Sequence, residues 1–131
     1  MIVDASALMT IVRNENDRHV HAEALFANDG RLRIAPMNLW EAFAVAERSK
    51  VDGHRANLVD LERALSLEVV PTDTRQMMHA RDAWRGYGRG SGHPAQLNFG
   101  DCFAYALAKT LDEPLLFKGD DFIHTDIRSA L

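Results

Sequence analysis

The amino-acid sequence predicts an α/β protein: a three-layer α/β/α sandwich around a short, mostly parallel central sheet. Short apolar segments alternate along the chain with longer segments of helical periodicity, and this alternation is typical of a parallel sheet covered on both faces. A length of 131 residues suits one domain over residues 1–131. Hydrophobic residues make up 47% of the chain and charged residues 26%, which is ordinary globular usage.

The order of the elements follows from hydrophobic spacing and from helix-breaking residues. Strands are predicted at residues 1–4, 31–35, 67–70 and 114–117. Helices are predicted at residues 5–13, 19–28, 36–50, 55–65, 72–84 and 98–110. Pro36 favours a helix start, and Thr72 and Asn98 are the expected helix caps. The glycines at 86–94 predict a flexible loop rather than a phosphate cradle, because no GK[ST] follows them.

Composition also excludes several classes of protein. Cys102 is the single cysteine, so a disulfide-framed secreted scaffold is excluded. No apolar run approaches the roughly 20 residues of a membrane helix, and the first residues lack the basic flank of a signal peptide, so a cytoplasmic protein is expected. The net charge of −4 offers no overall attraction to nucleic acid.

Positive charge is nevertheless concentrated in one region. The segment from residue 75 to 99 contains one acid, Asp82, and four arginines: Arg75, Arg81, Arg85 and Arg89. A solvated helix face explains such a stretch, and so does a path for nucleic acid beside the site described next. The second interpretation also includes Lys118, which follows the last predicted strand.

The most informative residues are three isolated acids within apolar segments. Asp4 is the only charged residue in 1–12, Glu41 in 34–46, and Asp101 in 97–108. A carboxylate is rarely buried without a partner, because its desolvation costs several kcal/mol or more. Each of the three acids also has an explanation that involves no functional site. Asp4 is a candidate helix cap, Glu41 lies on a solvated stripe, and Asp101 stands in the first turn of a helix.

The predicted sheet places acids on one edge. The carboxyl ends of parallel strands meet at the same edge, which puts Asp4 and Glu41 near Asp120 and Asp121, the two acids after the last strand. Like charges in one cleft require a cation, and hard oxygen ligands without a thiolate or histidine cluster favour Mg²⁺ or Mn²⁺. Ser6 is placed to hydrogen-bond a carboxylate or a metal-bound water, or simply to start a helix.

Such a site is suited to hydrolysis of a phosphodiester bond. Two other classes remain as alternatives: a receiver-like Mg²⁺-binding signalling domain and a phosphatase-like domain with an acidic pocket. A receiver domain requires two adjacent acids after the first strand, where only Asp4 stands here. A phosphatase of the haloacid dehalogenase type requires a second aspartate two residues after Asp4, where Ser6 stands.

With these residues identified, the chain resembles the PIN-domain ribonucleases, specifically the VapC-type toxins of bacterial type II toxin–antitoxin systems. The resemblance rests on four motifs in the order of the family: MIVDASAL, Glu41 in a helix led by proline, GSGHPAQLNFGDCFAYALAK (90–109) and LLFKGDDFIHTDI (115–127). The third motif is very specific, whereas the first alone is weak.

The resemblance implies an α/β/α fold and a Mg²⁺- or Mn²⁺-dependent endoribonuclease. Asp4 and Asp101 match the principal metal-binding acids and Glu41 the third catalytic acid. Many relatives carry Asp or Asn where Gly119 stands, so Asp120, supported by Asp121, or Asp121 itself is expected to serve as the fourth acid, unless the site works with three acids. The family also implies an RNA substrate, a homodimer, and a cognate antitoxin whose tail occupies the active-site groove in a heterotetramer or larger assembly.

Overall fold

A computed structural model describes all residues, 1–131, and contains one parallel sheet of four strands in the order β3-β2-β1-β4. The strands are β1 (Ile2–Val3), β2 (Arg33–Ile34), β3 (Glu68–Val69) and β4 (Leu115–Leu116). The helices are α1 (Ala5–Val12), α2 (Arg18–Phe26), α3 (Pro36–Glu47), α4 (His54–Ala64), α5 (Thr74–Tyr87) and α6 (Phe99–Leu111). The predicted fold class is therefore confirmed, and every predicted element is present.

The two residues of β1 face opposite layers, as alternation along a strand requires. Ile2 belongs to an apolar cluster with Leu115 and the buried faces of α5 and α6. Val3 belongs to a second cluster with Ile34 and the buried faces of α1 to α4. The sheet thus separates two cores, and this arrangement explains why β1 and β4 are buried and apolar on both faces, whereas β2 and β3 each contain a charged residue.

The ends of several elements differ from the sequence prediction. Asp73, not Thr72, caps α5, since its side chain accepts a hydrogen bond from the Gln76 backbone N–H. Helix α5 also continues to Tyr87, so the predicted loop starts at Gly88, where the chain pairs with Leu97. Each strand is only two residues long, shorter than the predicted segments of four or five residues.

The sequence prediction lacked two features near the carboxyl terminus. A short 3₁₀ helix spans Phe122–His124 and buries Phe122 against Phe117. Beyond it, Ser129 bridges to Leu115, so the last residues flank the sheet beside β4. No helix of the structure is long and apolar enough to cross a membrane.

Strand order determines which residues meet at the carboxyl edge of the sheet. Strand β1 lies between β2 and β4, and all three run in the same direction. Asp4 immediately follows β1, helix α3 begins two residues after β2, and residues 118–121 follow β4. Helix α6 packs against β1 and α3. This edge is therefore where α3, α6 and the segment after β4 contribute side chains to one site.

Candidate active site

A cleft of about 240 Å³ opens at this edge of the sheet. Four of its lining residues are acids that come from four different segments: Asp4, Glu41, Asp101 and Asp121. Ser6 and Lys118 line the same cleft, as does Arg13 from the end of α1. The structure thus brings together Asp4, Glu41 and Asp101, the three isolated acids of the sequence.

Asp4 is buried and firmly oriented. Its Oδ2 accepts hydrogen bonds from the Ser6 backbone N–H at 2.9 Å and from the Ser6 hydroxyl, and its Oδ1 accepts one from Asn38 Nδ2 at 2.9 Å. Burial raises the pKa of Asp4, although these hydrogen bonds and one from Ala5 oppose the increase. Asp4 is also the N-cap of α1, so the capping explanation and the site explanation describe the same side chain.

Ser6 connects Asp4 to the end of the sheet. While its hydroxyl donates to Asp4, its oxygen accepts a hydrogen bond from the Lys118 backbone N–H at 2.9 Å. The segment after β4 is thereby held against the first turn of α1. Ser6 therefore orients a carboxylate, which is one of the roles expected of it from the sequence.

Glu41 lies half-buried on α3, against the first turn of α6. Its Oε2 occupies the position where a side chain on Gly100 would begin, so only glycine leaves room for it there. Partial burial raises the pKa of Glu41, and the negative charge of Asp4 raises it further. No lysine, arginine or histidine forms an ion pair with Glu41.

Asp101 stands in the first turn of α6, in a reciprocal capping box with Asn98. Its Oδ2 accepts a hydrogen bond from the Asn98 backbone N–H at 2.6 Å, and its own N–H donates to Asn98 Oδ1 at 3.0 Å. Burial raises the pKa of Asp101 to about 7 despite that hydrogen bond, and the charges of Asp4, Asp121 and Glu41 also contribute to the increase. Asp101 therefore does serve in the cap of α6, as the alternative explanation expected. The capping box nevertheless supplies no positive charge to neutralise its carboxylate.

Positive side chains near the cleft are engaged elsewhere. Lys118 Nζ pairs with Asp17 at 2.9 Å and with Glu15, and Arg13 lies 3.9 Å from Glu15. None of the four acids of the cleft forms an ion pair with a lysine or arginine of the chain. The negative charges of the cleft therefore raise the pKa values of Glu41 and Asp101, and no lysine or arginine of the chain pairs with these two acids to oppose the increase.

The chemistry of these donors suits a hard divalent cation, because carboxylate oxygens are the ligands that Mg²⁺ and Mn²⁺ prefer. The arrangement is nevertheless not a preformed cage. No group of three or more His, Cys, Asp or Glu side chains stands in a metal-holding arrangement in the structure. The residues fit such an ion by type and by shared location, and the carboxylates must converge to hold it.

The two acids after β4 are placed differently. Both are exposed, but Asp121 lines the cleft and Asp120 does not. Of these two candidates, Asp121 is therefore the fourth acid that lines the cleft. Gly119 has a φ of +101°, a backbone conformation that favours glycine, and this explains why no acid stands at that position.

The arginines of the basic stretch lie outside the acidic cleft. Arg81 and Arg85 line an apolar groove of about 540 Å³ between α5 and α6, and Arg85 also pairs with Asp82 at 3.3 Å. Arg89 lines a second groove, of about 480 Å³, whose wall includes Glu41. Arg75 is exposed at the start of α5 and lines none of these three depressions.

The aromatic residues of the sequence separate into two groups. Phe103 and Tyr105 are buried in the core, whereas Trp40 and Phe43 of α3 are exposed. Trp40 lines the groove that contains Arg89, but the apolar walls of the acidic cleft are different residues: Ala5, Met9, Ala42, Val45 and Phe122.

Sequence reasoning also missed two residues that touch the acids. Asn38 is fully buried and bonds Asp4, and Gly100 makes room for Glu41. Each stands close in sequence to an isolated acid, Asn38 three residues before Glu41 and Gly100 directly before Asp101. A polar amide within the apolar segment at 34–46 was the available signal for Asn38.

Comparison with known proteins defines the class of the chain. The family model of the PIN domain matches residues 1–128, almost the whole length. The chain therefore belongs to the PIN-domain family, and the resemblance seen in the sequence is confirmed.

Within the family, the chain is similar to curated VapC ribonucleases. It is 47% identical to Ribonuclease VapC42 of Mycobacterium tuberculosis, over 99% of this chain and 98% of that protein. It is 44% identical to Ribonuclease VapC28 of the same species, over 100% and 98%. Among solved structures, the sarcin-ricin-loop-cleaving toxin VapC20 of M. tuberculosis has a TM-score of 0.73 at 15% identity, over 96% of this chain and 95% of that one. At that identity the structural likeness supports the fold alone.

Proposed function

We propose that the protein is a VapC-type endoribonuclease toxin, which hydrolyses phosphodiester bonds of RNA at the acidic cleft. The observation that carries the proposal is the convergence of Asp4, Glu41 and Asp101, with Asp121, in one cleft without an internal cation. The similarity to curated VapC ribonucleases over nearly full length supports the reaction class. Neither the receiver-like nor the phosphatase-like alternative gains support from the comparisons.

Asp4 and Asp101 are the residues that would hold Mg²⁺ or Mn²⁺. When bound, such an ion supplies a nucleophilic water and stabilises the charge that develops on the phosphate. Asp4 is suited to the role because Ser6 and Asn38 fix both of its oxygens. Asp101 is suited to it because the capping box orients its carboxylate at the helix start.

Glu41 has the properties of a general base. Its raised pKa, caused by partial burial and by the charge of Asp4, brings its Oε atoms closer to the range in which a carboxylate can take a proton at neutral pH. Gly100 keeps the carboxylate at the rim between the cleft and the groove that contains Arg89. Asp121 is the acid that completes the cleft in place of Asp120.

The proposal includes a cognate antitoxin as partner, and a homodimer as the assembly, in a heterotetramer or larger complex with the antitoxin. A toxin–antitoxin complex from Klebsiella pneumoniae has a TM-score of 0.67 with this chain at 15% identity, over 92% of this chain and 88% of that one. Exposed Trp40, Phe43 and Trp84 give the protein apolar surface for such contacts.

The test is cleavage of RNA by the purified protein with Mn²⁺, with Mg²⁺ and with EDTA. Cleavage in either metal that stops in EDTA and is absent from Asp101→Asn supports the proposal. Sequencing of the RNA ends would identify the target. Cleavage that is identical in EDTA, or equally strong in the Asp101→Asn variant, would refute the assignment of this cleft.

A further inference from the structure

We infer that Asn38 is a positioning residue, which holds the carboxylate of Asp4 and the start of α6 in a fixed relation so that the acids of the cleft can act together. The inference rests on the proposed function and adds a residue to it. Asn38 does not line the cleft, so its effect must pass through Asp4.

The first argument is the position of Asn38 between elements. Its side chain is fully buried near the start of α3. Its Nδ2 donates one hydrogen bond to Asp4 Oδ1 at 2.9 Å and another to the Gly100 carbonyl oxygen at 3.1 Å. One amide nitrogen thereby links the end of β1 to the first turn of α6, from the helix that also carries Glu41.

The second argument is the unpaired oxygen of the same side chain. Asn38 Oδ1 is buried and has no hydrogen-bond partner. Because both neighbours of Nδ2 are acceptors, rotation of the amide would place oxygen against oxygen, so the orientation of the amide is fixed. A buried acceptor without a partner reduces stability, and therefore fold stability alone does not account for an amide at this position.

The third argument is what the link controls. Gly100 is the residue against which Glu41 packs, and it directly precedes Asp101. A shift of Gly100 relative to Asp4 would therefore move Glu41 and Asp101 together. Hydrogen-bond partners of metal-binding side chains typically change metal affinity or activity by about 10–100-fold when they are removed.

The experiment compares Asn38→Leu with a matched variant, Gln76→Leu. Gln76 is a buried amide of the same kind: its Nε2 donates to the Pro71 carbonyl oxygen at 3.0 Å and its Oε1 has no partner. It lies on α5 and does not line the cleft. Both substitutions remove one buried amide, so a purely structural role predicts the same changes for both.

For each variant we would measure unfolding by urea in EDTA, the Mn²⁺ concentration at half-maximal thermal shift, and kcat and KM for RNA cleavage. We expect Asn38→Leu to raise the half-saturating Mn²⁺ concentration and lower kcat by at least about 10-fold each, with little change in KM. Gln76→Leu should keep the Mn²⁺ response and kcat of the parent, whatever its loss of stability. If Asn38→Leu fails to fold, Asn38→Ala replaces it, since the smaller side chain forces no atoms together.

An Asn38 variant with the Mn²⁺ response and kcat of Gln76→Leu would overturn the inference. That result differs from a failure of the proposed function, in which the parent itself neither responds to Mn²⁺ nor cleaves RNA.

Discussion

The carboxylate of Glu41 lies directly against the α-carbon of Gly100, so that a methyl group on Gly100 and the Oε2 of Glu41 would occupy the same space. This contact joins α3 to the first turn of α6 without a hydrogen bond. It places an acid from the middle of one helix beside Asp101 at the start of another. The proposed function depends on this proximity.

Gly100→Ala tests the contact. The alanine should displace the Glu41 carboxylate, which is the end of a flexible side chain, and RNA cleavage should fall by about 100-fold because a catalytic group is misplaced. The free energy of unfolding should change by less than about 1 kcal/mol. The higher helix preference of alanine over glycine, which is worth roughly that amount, offsets the cost of moving the Glu41 side chain. Cleavage rates and melting temperatures of the parent and the variant check both statements.

Gly86→Ala is the matched control for this prediction. Gly86 also lies in a helix, α5, and a methyl group there meets no atom within 4 Å. Cleavage by Gly86→Ala should equal that of the parent. If Gly100→Ala cleaves RNA as well as Gly86→Ala does, the position of Glu41 does not matter for catalysis.

The basic stretch gives a second prediction. Replacement of Arg81, Arg85 and Arg89 by glutamine should weaken RNA binding and reduce the slope of log affinity against log salt by up to about 2 units, because each contact with single-stranded RNA contributes about 0.7. Arg89, which shares a groove with Glu41, should contribute most, and Arg85 least, because it is paired with Asp82. Filter binding at several salt concentrations measures the slope.

A control for the arginines comes from the other layer of the fold. Arg48, Arg55 and Arg63, at the end of α3 and on α4, are exposed and line none of the three depressions around the acids. Their triple glutamine variant carries the same change in net charge. Equal salt slopes for the two triple variants would mean that the stretch from Arg75 to Arg89 is only solvated surface.

The sequence sufficed to predict the fold and most of the cleft, for a physical reason. Isolated acids in apolar segments identify Asp4, Glu41 and Asp101, and the rule of strand ends places Asp4 and Glu41 on one edge. What the sequence could not predict were details set by the local backbone conformation and by neighbours distant in the chain. The choice of Asp121 over Asp120 depends on the turn at Gly119, and the role of Asn38 depends on an acceptor 62 residues away, at Gly100.

The same limit applies to surfaces. Periodicity alone could not separate the buried Phe103 from the exposed Trp40, since both lie on apolar helices. The packing of α5 over α6 covers Phe103, whereas Trp40 on α3 stays exposed.

The family resemblance gives a third prediction, on inhibition. An antitoxin tail that carries an arginine should enter the cleft and pair with its carboxylates, against the apolar wall of Met9 and Val45. Removal of the tail should therefore restore RNA cleavage in the complex. Inhibition that stays complete without the tail, measured with equal amounts of toxin, would contradict this mode of binding.

The last prediction concerns Asp101, whose replacement by asparagine removes a charge and retains an oxygen for the capping box. Burial raises the pKa of Asp101 to about 7, whereas in the unfolded chain it should lie near 3.8. Between these two pKa values, Asp101 is thus protonated in the folded state and ionised in the unfolded state. The contribution of Asp101 to stability is full below about pH 4 and is lost as the pH rises through about 7.

The Asp101→Asn variant lacks this titration. In EDTA its free energy of unfolding relative to that of the parent should therefore rise between pH 4 and pH 8, by up to about 4 kcal/mol if one pKa unit is worth about 1.4 kcal/mol. In Mn²⁺ at pH 8 the parent should be the more stable of the two proteins. The reason is that the ion stabilises the parent by mass action, whereas the variant binds it weakly. RNA cleavage by the variant should fall by orders of magnitude. Urea unfolding at pH 4 and pH 8 in EDTA, and at pH 8 in Mn²⁺, measures all of this except the cleavage rate. A variant that is less stable than the parent at pH 8 in EDTA and keeps the full Mn²⁺ shift would show that Asp101 serves only as a helix cap.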